Sequence, residues 1–384
     1  MFGIPFEFVL FALILVGIAL FHHHVLKIAL GGLALIIIYK LVQGGYPWAH
    51  HFAEEWKGLL NLLGLLLGFA MLAKHFEDSE VPLILPNILP DNWKGGFVLL
   101  LIIAVLSSFL DNIAAAMIGG TVASVVYSGR VHIGFIAAIV AASNAGGAGS
   151  VVGDTTTTMM WIEGVPAMHF IKAYLAVVPA LFIFGIPAAI IQQHYQPIMK
   201  DKPQDVKIDF KKLLVVGMIL TGAILTNIYW EMPAAGVWIA IGLGVLITKT
   251  DFKVTIEAFY SAMFLISLVF AASLMPVESL PAASWQTAFG LGFVSAVFDN
   301  IPLTKLALVQ GGYDWGILAY TVGFGGSMIW FGSSAGVAVT TKLTEGRSVV
   351  RWLRHGWYII LAYIISFFIM LSLSGWHPDQ LHIK

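Results

Sequence analysis

Two apolar stretches of the chain are interrupted by the same polar pattern, Ser-x-x-x-Asp-Asn-Ile. The first copy begins at Ser107 and the second, in the other half of the chain, begins at Ser295. A carboxylate within a hydrophobic segment is costly, and at membrane depth it usually faces a protein interior or a water-filled cavity. The repeated pattern therefore needs a sheltered position, and it is the strongest indication of function in the sequence.

The composition is that of a polytopic membrane protein. Of the 384 residues, 59% are hydrophobic and 11% are charged, and the mean hydropathy is +0.89. Soluble globular chains carry roughly 25% charged residues. A formal net charge of −1 without a basic stripe argues against a nucleic-acid partner. Cysteine is absent, which excludes disulfides and thiolate metal sites. We expect no cofactor.

Apolar segments of spanning length recur along the chain, since a transmembrane helix needs about 20 mainly apolar residues. The first segment has no basic region before its apolar run, so we interpret it as a retained span and not as a signal peptide. The following His22-His23-His24 favours a solvated turn, because consecutive helical residues point in different directions. The predicted continuous spans lie near 4–21, 25–42, 56–76, 171–192, 213–230, 233–248, 257–276 and 352–374.

The segments around the two Asp-Asn pairs, about 96–126 and 285–310, are too short to cross the membrane twice. Each arm of the first segment holds about 14 apolar residues, roughly 21 Å of helix, against ~30 Å of hydrocarbon. We therefore predict a re-entrant helical hairpin in each. If the second segment were a full span, the basic group from Lys342 to Arg354 would lie outside, against the positive-inside rule.

A Gly-rich break follows each predicted hairpin, within about 132–170 and 315–341. Gly146, Gly147 and Gly153 in the first break have the same spacing as Gly325, Gly326 and Gly332 in the second. Polar, Gly-rich backbone at membrane depth is tolerated only where it lines a cavity or is buried in protein. We therefore predict one discontinuous helix in each half.

The order of elements is the same before and after a hydrophilic stretch at 194–212, which holds five lysines and three aspartates. Five crossings in each half is an odd number, so the second half must begin on the opposite side. We predict an all-α polytopic membrane protein with two inverted repeats, 1–193 and 213–384. Each repeat has five transmembrane helices, one of them discontinuous, plus a re-entrant helical hairpin. The positive-inside rule makes the linker cytoplasmic.

The interrupted segments place carboxylate, amide and hydroxyl oxygens beside free backbone carbonyls. Hard alkali cations prefer such ligands, and transporters hold substrate between discontinuous helices near the midplane. A buried carboxylate can exchange a proton for a cation, because desolvation favours the protonated form and a cation favours the charged form. The candidate residues that bind an ion or carry a proton are Asp111, Asn112, Asn144, Asp154, Thr155, Asp299, Asn300, Ser333 and Ser334.

The two halves differ in this set of side chains. When the two glycine patterns are aligned, Asp154 corresponds to Ser333 and Asn144 corresponds to Gly323. Cation-binding capacity is thus concentrated in the first half. The predicted Na+ ligands are Asp154, Asn144, Asp111 and Thr155.

Each candidate also has a structural interpretation. The carboxylates of Asp111, Asp154 and Asp299 are natural N-caps for the helical arms that follow them, and capping can coexist with ion binding. Ser333 and Ser334 can likewise cap a helix. Lys305, six residues after Asp299, is a candidate charge partner for that carboxylate, although a lysine there can also snorkel to the interface.

Four runs of sequence carry a resemblance to a known family. They are Ser107 to Gly120, Ser143 to Trp161, Phe298 to Leu303 and Gly325 to Val337. In combination these runs resemble the NhaD-type Na+/H+ antiporters of the ion transporter superfamily. The resemblance implies efflux of Na+ or Li+ coupled to proton uptake, a homodimer, and elevator-type movement of a hairpin-containing transport domain against a scaffold. Gly149 departs from the family pattern, in which a bulkier residue is expected.

The sequence therefore favours a secondary transporter and not an enzyme, located in a bacterial inner membrane and exchanging Na+ or Li+ for H+. The first alternative is a carrier of arsenite or dicarboxylates from the same superfamily, although three intramembrane aspartates disfavour an anion. A second alternative is an intramembrane aspartic protease, whose paired aspartates would have to meet on uninterrupted helices. The third is a non-transporting scaffold descended from a transporter.

Overall fold

The structure is a computed structural model that describes residues 5–21, 24–199 and 206–379. His22, His23, the central part of the predicted linker (200–205) and the last residues of the second predicted repeat (380–384) lie outside the described residues. Every regular element in the described part of the chain is a helix.

The first half of the chain is a series of helices of unequal length. They are α1 (Phe6–Leu20), α2 (Val25–Gln43), α3 (Trp48–Glu77), α4 (Val81–Ile88), α5 (Trp93–Ser107), α6 (Asn112–Val126), α7 (Ile133–Ala148), α8 (Thr155–Ile162), α9 (Ala167–Ile171) and α10 (Tyr174–Tyr195).

The second half follows a similar order. Its α-helices are α11 (Phe210–Trp230), α12 (Pro233–Ile247), α13 (Lys253–Ser273), α14 (Trp285–Ser295), α15 (Asn300–Gln310), α16 (Trp315–Gly325), α17 (Ser334–Lys342), α18 (Val349–His355) and α19 (Trp357–Ser374). Short 3-10 helices cover Val277–Ser279, Gly326–Met328 and Thr344–Gly346.

Six helical segments of the described chain are long and apolar enough to cross a membrane. They are α2, α3, the pair α9 and α10, α11, α13 and α19. A helix satisfies its own backbone hydrogen bonds, which is why lipid-exposed segments adopt it. Several further apolar helices are shorter, namely α1, α5, α6, α7 and α12. The chain is therefore an all-helical polytopic membrane protein.

The polar, proline-containing stretch between α3 and α5 is more ordered than its sequence suggests. It forms α4, with Pro82 in the first turn, where a missing N–H costs nothing. α3 is also longer than the apolar span near 56–76, because it begins at Trp48. An apolar run indicates only the part of a helix that lies in hydrocarbon, so it does not indicate the polar first turns of α3.

Each segment with an Asp-Asn pair forms two helices separated by four residues, α5 and α6 in the first half and α14 and α15 in the second. Asp111 and Asp299 cap the second helix of each pair. The main-chain N–H of Ile113 donates to Asp111 Oδ2 at 3.2 Å, and that of Ile301 donates to Asp299 Oδ1 at 3.0 Å. These carboxylates satisfy N–H groups that have no partner within the first turn of a helix.

The Gly-rich segments are broken as well. Six residues separate α7 from α8, and a short 3-10 helix followed by turns and bends separates α16 from α17. Asp154 caps α8 by accepting from the N–H of Thr156, and Ser333 caps α17 by accepting from the N–H of Gly336. The polar side chains at both breaks therefore have a structural role, which coexists with any role in binding.

The helices pack as two groups. One group, here called the frame helices, consists of α1, α2, α3, α11, α12 and α13. The other, here called the core helices, consists of α5, α6, α7, α8, α10, α14, α15, α16, α17 and α19. The groups meet mainly where α3 contacts α8 and where α13 contacts α15. All the interrupted helices lie among the core helices, against the frame.

Within the core helices, each half supports the broken helix of the other half. α6 packs against α17, α8 packs against α15, and α7 packs against α16. The polar ends of these helices are thereby brought towards one region of the molecule.

Candidate functional site

Glycines allow the broken helices to approach the first helix of each interrupted pair. A Cβ atom on Gly146 of α7 would collide with the backbone carbonyl of Ala104 in α5. A Cβ atom on Gly325 of α16 would collide with the carbonyl of Gly292 in α14. The requirement for glycine is a close backbone approach in both halves. This packing places the breaks of α7 and α16 next to the Asp-Asn turns.

Asp154 is the carboxylate at the centre of this region, and it is 1% exposed. Its Oδ1 accepts from the main-chain N–H of Thr156 at 2.8 Å and from the Thr156 hydroxyl at 2.9 Å. Its Oδ2 accepts from Asn112 Nδ2 at 3.1 Å. These donors are neutral, so the carboxylate is held in place without a charge that would neutralise it.

Asn144 connects the two halves of the chain. Its Oδ1 accepts from Asn112 Nδ2 at 3.1 Å, and its Nδ2 donates to the hydroxyls of Ser327 and Ser333 at 3.0 Å each. Asn144, Ser327 and Ser333 are all fully buried. We call Asn112, Asn144, Asp154, Ser327 and Ser333 the polar centre.

Gly323, which corresponds to Asn144 in the alignment of the two glycine patterns, borders this centre. A Cβ atom added there would lie 3.5 Å from Asp154 Oδ2. The second-half position equivalent to the first-half amide therefore carries no side chain. This leaves room beside the buried carboxylate.

A cavity of about 1120 Å³ reaches the edge of this region from one face of the molecule. Asp111 and Thr155 line it, together with the parts of α3 and α13 that lie nearest that face. Asp111 is partly exposed, whereas Asp154 is buried behind it. The cavity lining therefore includes Asp111 and Thr155 but not Asp154.

Charged side chains surround the mouth of this cavity. Lys74 Nζ lies 2.9 Å from Asp78 Oδ1, and Lys212 Nζ lies 3.3 Å from Asp78 Oδ2. Burial raises the pKa of Asp78, but the hydrogen bonds from the two lysines outweigh it, so the pKa is below its ordinary value. Asp78 therefore stays ionised at neutral pH and joins the end of α3 to the start of α11.

Of the second-half candidates, Ser333 is the one that hydrogen-bonds to the polar centre among the described residues. Asp299 Oδ2 accepts from the hydroxyl of Ser334 at 3.4 Å. Asn300 is 3% exposed, and its Nδ2 has no hydrogen-bond partner among the described residues. The second Asp-Asn pair thus lacks the amide and carboxylate partners that the first pair has.

Lys305 does not pair with Asp299, the charge partner that the sequence suggested; it pairs with two glutamates among the described residues. Its Nζ lies 2.8 Å from Glu55 Oε2 and 2.8 Å from Glu163 Oε1. Within the described residues it therefore pairs with two glutamates and not with Asp299. Local spacing along α15 made Asp299 the obvious partner, whereas the actual partners come from α3 and from the end of α8.

Sequence reasoning did not single out Thr156, Ser327 or Tyr174. Thr156, and not Thr155, supplies the hydroxyl that binds Asp154. Ser327 binds Asn144, and the only signal for it was its position directly after the Gly325-Gly326 break. The Tyr174 hydroxyl lies 2.7 Å from Ser108 Oγ, and its ring fills the space where a side chain at Gly149 would point. That contact explains the glycine at position 149.

The donor set of the polar centre suits a hard cation. It combines one carboxylate with amide and hydroxyl oxygens, which are the ligands such cations prefer. An ionised carboxylate buried among neutral groups is costly, so it needs a proton or a cation. The same group can therefore alternate between the two, which is the chemical basis of exchange.

The fold and the polar centre define the class of the protein: a polytopic membrane protein whose broken helices surround a buried carboxylate, as in secondary transporters. No family model matches the chain. It is 28% identical to sodium/proton antiporter 1 of Arabidopsis thaliana over 291 residues, which cover 64% of this chain and 49% of that relative. It is 25% identical to Na+/H+ antiporter NhaD of Alkalimonas amylolytica over 349 residues, which cover 76% and 70%.

A further relative is Na+/H+ antiporter NhaD of Vibrio cholerae, 25% identical over 293 residues, which cover 62% of this chain and 61% of that protein. The chain spans about half the length of the first plant relative, with a match to 49% of it. The resemblance inferred from the sequence motifs is confirmed: the chain is a relative of the NhaD-type Na+/H+ antiporters. These relatives are named as transporters, in agreement with the expectation that the chain is not an enzyme.

Proposed function

We propose that the chain exchanges Na+, or Li+, for H+ across the membrane. The observation that carries this proposal is the burial of Asp154 among neutral donors, at the meeting point of two broken helices and behind a cavity that reaches Asp111 and Thr155. A carboxylate in this position has to be neutralised by a proton or a cation before the site can close. Competition between the two couples their fluxes.

Asn112 determines how the cation is received. Its Nδ2 donates to both Asp154 Oδ2 and Asn144 Oδ1, at 3.1 Å each, and so stands between two oxygens that could share a cation. Arrival of Na+ displaces this amide NH2, and rotation of the Asn112 side chain then offers its own carbonyl oxygen. Asp111 and Thr155 receive the ion from the cavity.

Alternating access of the elevator type fits the packing. The frame helices and the core helices meet at a limited boundary, and the cavity lies within that boundary. Movement of the core helices along the frame would close the cavity and expose the polar centre on the other face. The reciprocal packing of α6 on α17 and of α8 on α15 supports two inverted repeats with re-entrant hairpins.

The face that holds the cavity mouth carries Lys74, Lys212, Lys253 and Lys342, which supports a cytoplasmic assignment by the positive-inside rule. The linker at 194–212 would then be cytoplasmic. We further propose an inner-membrane location and a homodimer, following the family resemblance.

Exchange is tested in everted membrane vesicles that are acidified by respiration. Addition of Na+ or Li+ to vesicles with the wild-type chain should dissipate the pH gradient, and Asp154→Asn should prevent dissipation while leaving the amount of assembled protein unchanged. K+ serves as the comparison cation. Absence of Na+- and Li+-dependent dissipation with the wild-type chain, across neutral and alkaline pH, would contradict the proposal.

A further inference from the structure

A buried cluster of three charges lies outside the polar centre. The Lys305 side chain is 3% exposed, and it is held between Glu55, which is 13% exposed, and Glu163, which is 34% exposed. Both N–O distances are 2.8 Å. Lysine is seldom buried to this extent without paired charges, so the cluster marks a specific contact.

The three residues belong to different packing groups. Lys305 lies on α15 and Glu163 directly follows α8, so both belong to the core helices. Glu55 lies on α3, a frame helix. The Lys305–Glu163 pair is therefore internal to the core, whereas the Lys305–Glu55 pair joins the core to the frame.

The cluster lies at the end of the boundary opposite to the cavity mouth. The cavity is lined by residues of α3 from Leu65 to Glu77 and by Asp78 directly after it, and the lining includes no residue of the first turns of that helix. Glu55 and Glu77 lie on one continuous helix, and the rise of an α-helix separates them by roughly 33 Å. The boundary between core and frame is thus open at one face and held by an ion pair near the other.

The presence of two glutamates makes the frame contact releasable. Removal of the partner of a buried ion leaves an uncompensated charge, which is strongly unfavourable. If α15 moves away from α3, Lys305 loses Glu55 but keeps Glu163, so no lysine charge is left unpaired in the core. Glu55 is near the start of α3 and can be hydrated when the contact opens.

We infer that the Lys305–Glu55 ion pair is a lock that closes the face opposite to the cavity, and that Glu163 retains Lys305 when the lock opens. This inference rests on the alternating access in the proposed function, but not on the identity of the transported ion. The lock holds the core helices in the orientation in which the polar centre faces the cavity.

The chain has no cysteine, so single reporter cysteines can be introduced without a background. Ile301 is 2% exposed and lies one turn before Lys305 on the same face of α15. Met117 lines the cavity. Labelling of Ile301→Cys by a membrane-impermeant maleimide from the Glu55 face reports opening of that face, and labelling of Met117→Cys from the other face reports the cavity.

Glu55→Gln should increase the labelling rate of Ile301→Cys from the Glu55 face by about tenfold, and it should lower that of Met117→Cys. Glu163→Gln is the matched control, since it also removes one carboxylate from Lys305 but leaves the frame contact intact. It should not raise the labelling rate of Ile301→Cys and should lower it, because opening would then leave Lys305 without a partner in the core. Glu54→Gln, which alters the neighbouring exposed pair with His50, should change both rates less than twofold. Glu55→Asp, which keeps the charge but shortens the reach, provides a second variant if Glu55→Gln assembles poorly, and it should produce an intermediate increase.

Equal effects of Glu55→Gln and Glu163→Gln, or no effect of either Glu55 variant, would overturn the lock. The labelling rates do not depend on which ion is carried, so Na+-dependent exchange by the wild-type chain is measured in parallel. Faster labelling of the Glu55 variants without any wild-type Na+ or Li+ exchange would support the lock and contradict the proposed substrate. Na+ or Li+ exchange by the wild-type chain, without faster labelling of the Glu55 variants, would support the proposed substrate and contradict the lock.

Discussion

The two Asp-Asn turns have the same sequence pattern and the same helix-capping geometry, but different surroundings. Asn112 donates to Asn144 and to Asp154, whereas the amide nitrogen of the equivalent Asn300 has no hydrogen-bond partner among the described residues. The two turns therefore share their helix-capping hydrogen bonds but differ in the hydrogen bonds of their asparagine side chains. The comparison shows that the same capping turn is joined to the buried polar network through its asparagine side chain in the first half, whereas no such bond is made by the Asn300 amide nitrogen among the described residues in the second.

The second half contributes to this network in another way. Ser327 and Ser333 are uncharged. Their hydroxyls accept hydrogen bonds from Asn144 Nδ2 and so position its amide. Gly323 leaves room beside Asp154 where a larger residue would intrude. The two halves therefore contribute different groups, with the buried carboxylate and the two amides in the first half and the hydroxyl acceptors in the second.

The largest expected difference between the halves is in the loss of exchange when an aspartate is neutralised. Asp154→Asn should lower Na+-dependent exchange by at least about a hundredfold, because it removes the buried charge for which Na+ and H+ compete, whereas Asp299→Asn should lower it by about tenfold. Exchange is measured in everted vesicles at equal amounts of protein. Equal losses from both substitutions would break the comparison, since they would show that both halves carry the ion.

Steric requirements should instead be equal in the two halves. Gly146→Ala and Gly325→Ala each force a Cβ atom onto a backbone carbonyl, so each should reduce the free energy of unfolding by about 3 kcal/mol. Gly217→Ala is the matched control, because no atom of the residues that the structure describes lies within 4 Å of its added Cβ atom. Thermal unfolding in detergent checks this symmetry, and tolerance of either core substitution would show that the close packing is not required.

The Asn pair offers a smaller and more specific test. Asn112→Ala should raise the Na+ concentration for half-maximal exchange by about tenfold, since it removes hydrogen bonds and a candidate ligand from the polar centre. Asn300→Ala should change it less than about twofold, because none of the described residues loses a bond to its amide nitrogen. A reversed order of effects in concentration-dependent exchange assays would assign the ion to the second half.

Smaller effects than that of Asn112→Ala are expected from the positioning serines. Ser327→Ala and Ser333→Ala each leave Asn144 with one hydroxyl acceptor, so each should raise the half-maximal Na+ concentration by about threefold. The double substitution should exceed the product of the single effects, because the buried amide is then left without an acceptor. Strict additivity, measured in the same exchange assay, would indicate that the two hydroxyls act independently of Asn144.

Much of the local structure can be predicted from the sequence. Apolar length indicates the membrane helices, and an Asp or Ser ahead of an apolar run indicates a helix start, as at Asp111 and Ser333. The start of α3 at Trp48 was missed because its first turns are polar and lie beyond the apolar run. α4 was missed because its composition is close to that of a loop.

The sequence alone determined the helical class, the interrupted segments and the set of polar residues available at depth, because hydropathy and capping act over one or a few turns. Only the tertiary structure decided which of those residues meet. Thr156 and Ser327 join the polar centre, and Lys305 of the second half pairs with Glu55 of the first. The physical reason is that such contacts depend on how helices cross, and helix crossing is set by packing between segments far apart in the chain.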